Sequence, residues 1–189
     1  MNGIQLWIAL PEEQEECAAA FQHHPKEDLP EFAVGGAKVK LLLGHAFGKK
    51  SPVQIHSDLF YAETFVPAGE RLQLPHEGRE MAAYVVTGKI NIDGTTTQQN
   101  EMAILQPGAN LTLIAEEASH IMLIGGVPFG GRKLFWNFVS SSSERIEEAK
   151  KLWSAGPGPH NTRFHSIPGD DREWIPLPEE VPPPKGTIL

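Results

Sequence analysis

The sequence predicts an all-β fold, a sandwich or barrel of short antiparallel strands, followed by one helix and an extended tail. Three observations carry that reading. Short apolar or alternating runs recur at close spacing between residues 38 and 139, each closed by Gly, Pro or Asp-Gly, which is the pattern of many short strands rather than of βαβ units. Only the stretch from Ser141 combines helical periodicity with helix punctuation. Eight of the 16 prolines fall between Pro157 and Pro184, where the missing N–H donors exclude an interior strand or a helix.

In chain order, residues 1–37 open with the β-prone run Ile4-Gln5-Leu6-Trp7-Ile8 and continue as an acidic arm. Glu12, Glu13, Glu15, Glu16, Glu27, Asp28 and Glu31 stand there against Lys26 alone. Residues 38–156 hold the barrel and the helix. The run 39–43 ends at Gly44, 60–66 at Pro67-Ala68-Gly69, and 82–87 at Gly88. Residues 90–92 meet Asp93-Gly94, a two-residue turn whose twist suits the flanking strands. The runs 102–105, 111–114 and 121–124 follow, and 133–139 completes the set as one strand. Ser141 with Glu144 three residues on reads as a capping box, which satisfies N–H groups that a first helical turn leaves unpaired. Ile146, Ala149, Leu152 and Trp153 then share a packing face, and Gly156-Pro157 stops the helix. Residues 157–189 are the proline-rich tail, anchored by Phe164 and Trp174. Trp174 and Ile175 are expected to pack on the barrel, because each buried side chain of this kind gains about 1.5–3 kcal/mol.

Composition narrows the function classes. The chain has 189 residues, a one-domain length with arms to spare, and 40% hydrophobic against 21% charged residues, as in an ordinary soluble protein. A net charge of −8 speaks against a nucleic-acid partner. No apolar run approaches the roughly 18 residues of a membrane span, and the start lacks the basic flank of a signal peptide. Cys17 is the only cysteine, so there is no internal disulfide and no thiolate zinc cluster. The expected setting is cytoplasmic. No dinucleotide fingerprint, P-loop or nucleophile elbow occurs, and residues 140–143 serve capping rather than nucleophilic chemistry.

One segment carries ligand-type residues: Gly69-Glu-Arg-Leu-Gln-Leu-Pro-His76-Glu-Gly-Arg-Glu80, then seven residues to Gly88. It resembles the first motif of the cupin superfamily, in which histidines and a glutamate on adjacent strands hold Fe, Mn, Ni or Cu with positions left open for oxygen or substrate. His76 and Glu80 stand at the second-histidine and glutamate places. Leu74 takes the first-histidine place, and the last spacing is one residue long. After the turn Pro107-Gly108, where the second motif would supply another histidine, residues 109–114 have none, and His120 comes on the next run. Metal and cofactor are therefore not expected. His76, Glu80, His56 and His120 are cavity or rim candidates, and His45 reads as a structural histidine.

A longer resemblance covers about residues 3–180. Ile4-Gln-Leu-Trp-Ile-Ala-Leu-Pro11, Gly44-His-Ala-Phe-Gly48 with Ser51-Pro52, and Ala83-Tyr-Val-Val-Thr-Gly88 are similar to pirins, two-domain cupin proteins. So are Ile121-Met-Leu-Ile-Gly-Gly-Val-Pro128, Phe135-Trp-Asn-Phe-Val-Ser-Ser-Ser-Ser-Glu-Arg-Ile-Glu-Glu-Ala149 and Ile167-Pro-Gly-Asp-Asp171. The resemblance implies a single cupin barrel of the double-stranded β-helix or jelly-roll type, matching the family's C-terminal half with its linking strand. The family's iron sits in the other, N-terminal cupin domain, which the resemblance does not cover. The implied function is a non-catalytic protein-interaction or small-ligand module acting as a homodimer or with a protein partner, the ligand unnamed. The alternatives are a dioxygenase of the quercetin 2,3-dioxygenase type, using Fe or another divalent transition metal, and a fragment of a two-domain pirin. For the dioxygenase, His76 and Glu80 would be supplemented by His56 or His120.

Overall fold

In the strand Leu59–Val66, Phe60, Ala62, Thr64 and Val66 are buried while Tyr61, Glu63 and Phe65 are partly or well exposed. That alternation of in and out is the period of a strand with one packed face, and the computed structural model of the chain repeats it throughout the barrel. It describes residues 3–75, 78–105, 111–158, 160–170 and 173–178. Contacts divide the chain into two compact units, Met1–Glu15 with Gly130–Leu189, and Glu16–Phe129.

The Glu16–Phe129 unit holds eleven strands: β1 Glu31–Val34, β2 Ala37–Ala46, β3 Lys49–Lys50, β4 Leu59–Val66, β5 Arg71–Gln73, β6 Glu80–Thr87, β7 Lys89–Ile92, β8 Thr95–Gln98, β9 Met102–Leu105, β10 Thr112–Ala115 and β11 Ser119–Gly126. They form one sheet ordered β1-β2-β4-β11-β6-β9, with β3 on β2, and a second ordered β5-β10-β7-β8. All the pairings are antiparallel. Val39, Leu41, Phe60 and Leu123 from the first sheet and Leu72 and Leu113 from the second are each 0% exposed within one core cluster. The two sheets therefore face each other across a shared apolar layer, a jelly-roll sandwich.

Local chemistry fixes the turns that matter. Asp93 at φ 50° and Gly94 at φ 79° make the left-handed pair of the β7–β8 hairpin, and Asn91 Oδ1 accepts from the Gly94 N–H at 3.0 Å. Gly44 lies at φ +70°, and a Cβ there would meet the Leu59 carbonyl oxygen at 1.7 Å. Only glycine lets the end of β2 approach the start of β4 so closely, and that approach sets His45 beside Asp58.

The other unit holds β12 Lys133–Phe135, β13 Phe138–Ser140 and the helix α1 Ser143–Ser154. Residues 133–139, expected as one strand, fold as a hairpin whose turn places Trp136 at φ 50°. The Trp136 ring sits edge-on to Trp153 and Phe138, at 5.1 and 5.8 Å, and that packing holds a backbone that an aromatic residue rarely adopts. The expected cap is also corrected. Ser142, not Ser141, is the N-cap, accepting from the Arg145 N–H at 3.3 Å. Ser141 is engaged elsewhere: its N–H and its hydroxyl both donate to Glu15, as does the Ser140 hydroxyl.

The tail docks on α1 through Trp174, which stacks on Trp153 at 3.9 Å. The two indoles also exchange backbone bonds, Trp153 Nε1 donating to the Ile175 carbonyl and Trp174 Nε1 to that of Trp153. Ile175, expected to be buried, is 61% exposed, since its anchoring atom is its carbonyl oxygen and not its side chain. Residues 4–8, expected as a strand, form no ladder with the described residues and leave Ile4, Leu6, Trp7 and Ile8 exposed. Strand propensity is realised only where a partner edge exists.

Candidate functional site

The ligand-type segment enters β6, and the alternation along that strand decides what its side chains can reach. Met81, Ala83 and Val85 belong to the core. Arg79 shares their parity and is 2% exposed, whereas Glu80 has the opposite parity and is exposed. The Glu80 carboxylate therefore lies on the outer face, since successive residues of a strand point to opposite faces. Leu74, in the first-histidine place, is 3% exposed and packs in the core. His76 and the Pro107-Gly108 turn lie outside the described residues.

The remaining candidates do not converge on Glu80. His56 is exposed in the loop between β3 and β4. His120 points to the outer face of the sheet, opposite to its buried neighbours Ile121 and Ser119. There its Nε2 pairs with Glu63 Oε1 at 3.0 Å, and its ring stacks on Phe65 at 4.3 Å. Further along β4, burial and the Glu63 charge both push the Tyr61 hydroxyl above its ordinary value. Glu80 pairs across the sheet with Gly126 and His120 with Thr87, so six steps along β11, about 20 Å, separate the two along the sheet. His120 therefore cannot supplement a site built on Glu80.

What the structure does assemble at the start of β6 is a cluster that the motif reading left out. Arg79 Nη2 binds Asp58 Oδ1 at 2.7 Å and is in direct contact with His45 Nε2, while Nη1 donates to the His45 carbonyl at 2.9 Å. The guanidinium also lies over the Phe60 ring, 5.7 Å from its centroid. Its side chain is 1% exposed, against 46% for Asp58 and 48% for His45. A buried charge held by an ion pair, a carbonyl and an aromatic face meets the conditions under which such burial is tolerated. The inward parity of residue 79 was legible from Ala83 and Val85. Its partners were not, because they arrive from two distant segments.

Tested against a transition metal, the described residues do not fit. Among them no three His, Cys, Asp or Glu side chains gather around one point. The interior positions of the motif strand are taken by Arg79, Met81, Ala83 and Val85.

Residues 61–158 match the Pirin C-terminal cupin domain family. The chain belongs to the pirin family. It is 43% identical over 180 residues to a pirin-like protein of Caulobacter vibrioides, covering 95% of this chain and 60% of that protein. A pirin-like protein of Solanum lycopersicum is 28% identical over 162 residues, 82% of this chain and 56% of its own length. A crystal structure of quercetin 2,3-dioxygenase from Acinetobacter baumannii superposes with a TM-score of 0.80 at 26% identity, covering 93% of this chain and 58% of that one. The chain thus spans less than two thirds of the length of these relatives, and it matches the family model named for the pirin C-terminal cupin.

Proposed function

We propose that this chain is a non-catalytic pirin-type cupin module that works in the cytoplasm through a protein partner, in the first place a second copy of itself, or through a small ligand. The observation that carries the reading is the strand register at the motif: Glu80 faces out, and Arg79 and Met81 face in, so the described barrel interior presents no ligand set. Interaction is favoured by apolar side chains left in water. Ile4 and Trp7 are each 53% exposed within one β-prone run that has no ladder partner among the described residues, and such runs recruit strand edges and apolar surfaces.

Light scattering at micromolar concentration tests this association. The expected mass is twice the chain's 20.8 kDa, falling to the single-chain value in Trp7→Asp with the circular dichroism unchanged. A native mass near 20.8 kDa would contradict the homodimer.

The relative crystallised as quercetin 2,3-dioxygenase favours a second reading, a metal-dependent dioxygenase acting on a flavonoid-like phenol. That reading needs His76 together with ligands other than His120, and it requires oxygen consumption, which a non-catalytic module does not give.

A further inference from the structure

The Arg79 cluster has the geometry of a filled cation site. Asp58 Oδ1 and His45 Nε2 are 3.6 Å apart. Two ligands each about 2.1 Å from a common ion stand roughly 3–3.5 Å from one another, so this carboxylate and imidazole are spaced much as ligands of one metal would be. The guanidinium nitrogen Nη2 lies against both, 2.7 Å from the carboxylate oxygen and in contact with the imidazole nitrogen. Arginine keeps its proton at any pH a folded protein experiences, and it only donates. With the guanidinium against it, His45 Nε2 is placed as an acceptor, the role it would also have toward a metal, with the ring N–H then on Nδ1.

We infer that Arg79 is the resident cation of this barrel end: its guanidinium occupies the position between Asp58 and His45 that a divalent transition metal would need, and so keeps metal off these two ligands. The inference rests on the non-catalytic reading and names the residue that enforces it at this end of the barrel.

The test uses the full chain purified without a histidine tag and Co(II) as the probe, read by its visible absorption. Arg79→His replaces the cation with a third ligand and is expected to turn a chain without an Asp58-dependent band into one that binds a single Co(II). Adding Asp58→Asn is expected to abolish that band. A folded Arg79→His variant that binds no more Co(II) than the native chain overturns the inference, as does native binding that Asp58→Asn removes. The native chain also decides by itself, whether or not the variant folds. Long-range ¹⁵N–¹H correlation of His45 is expected to show the Nδ1–H tautomer at neutral pH, and a proton on Nε2 overturns the assignment. Native Co(II) binding lost in His76→Ala but indifferent to Asp58→Asn would overturn the non-catalytic reading while leaving the role of Arg79 in place.

Discussion

Glu15 lies in the acidic arm, and it is the clasp of its unit. Its carboxylate accepts from the Ser141 N–H and from the Ser140 and Ser141 hydroxyls, and it pairs with Arg132 Nε at 2.6 Å. Burial by itself would raise its pKa. The Ser141 N–H and hydroxyl, the Ser140 hydroxyl and the Arg132 charge together outweigh burial and hold it below its ordinary 4.5. A carboxyl lowered in the folded state contributes stability that is complete above its unfolded value and is lost as pH falls through the folded one. Glu15→Gln should therefore lower stability at neutral pH by about 2 kcal/mol and flatten the loss of stability below about pH 4.5. All four tryptophans, Trp7, Trp136, Trp153 and Trp174, belong to the same unit as Glu15, so denaturant melts followed by indole fluorescence report on it. Identical acid limbs in the native and variant chains would remove the clasp. Nothing local marked this residue, because its serine partners lie more than 120 positions away in the chain.

At the scale of elements, what the sequence made legible was what neighbouring residues decide. The strand pattern around Asp93-Gly94, the run 102–105 and the stop at Gly156 are all visible in short windows, and the structure has β7, β8, β9 and the end of α1 there. Features decided by distant partners were misread. The turn at Trp136 is held by the ring's contact with Trp153, and the helix start moved to Ser142 because Glu15 engages Ser141. Asn161, 1% exposed, finishes the helix by donating to the Leu152 and Gly156 carbonyls, again from beyond any capping window. The shifted cap is open to a double-mutant cycle. Ser142→Ala is expected to cost about 1 kcal/mol whether or not Glu15 is present, whereas the cost of Ser141→Ala should shrink in the Glu15→Gln background. The opposite pattern, with Ser142→Ala silent and Ser141→Ala independent of Glu15, would restore the cap to Ser141.

For the whole molecule, family and fold were readable because the turn residues and strand runs that carry them lie along nearly the entire chain. The site was only half readable. The motif showed which residue types stand at the ligand places, but the long spacing before Gly88 did not show which way Glu80 faces, because the ladder slips at Val86 opposite His120 and Ile121. Identifying Asp58 and His45 as the partners of Arg79 required the fold that brings β2, the loop before β4 and β6 together. The central claim, that this cupin works without a metal of its own, is tested most directly by elemental analysis of tag-free native protein together with oxygen uptake in the presence of quercetin. The account predicts a transition-metal content far below one per chain and no oxygen consumption. Close to one Fe or Ni per chain, lost in His76→Ala and accompanied by quercetin-dependent oxygen uptake, would contradict it.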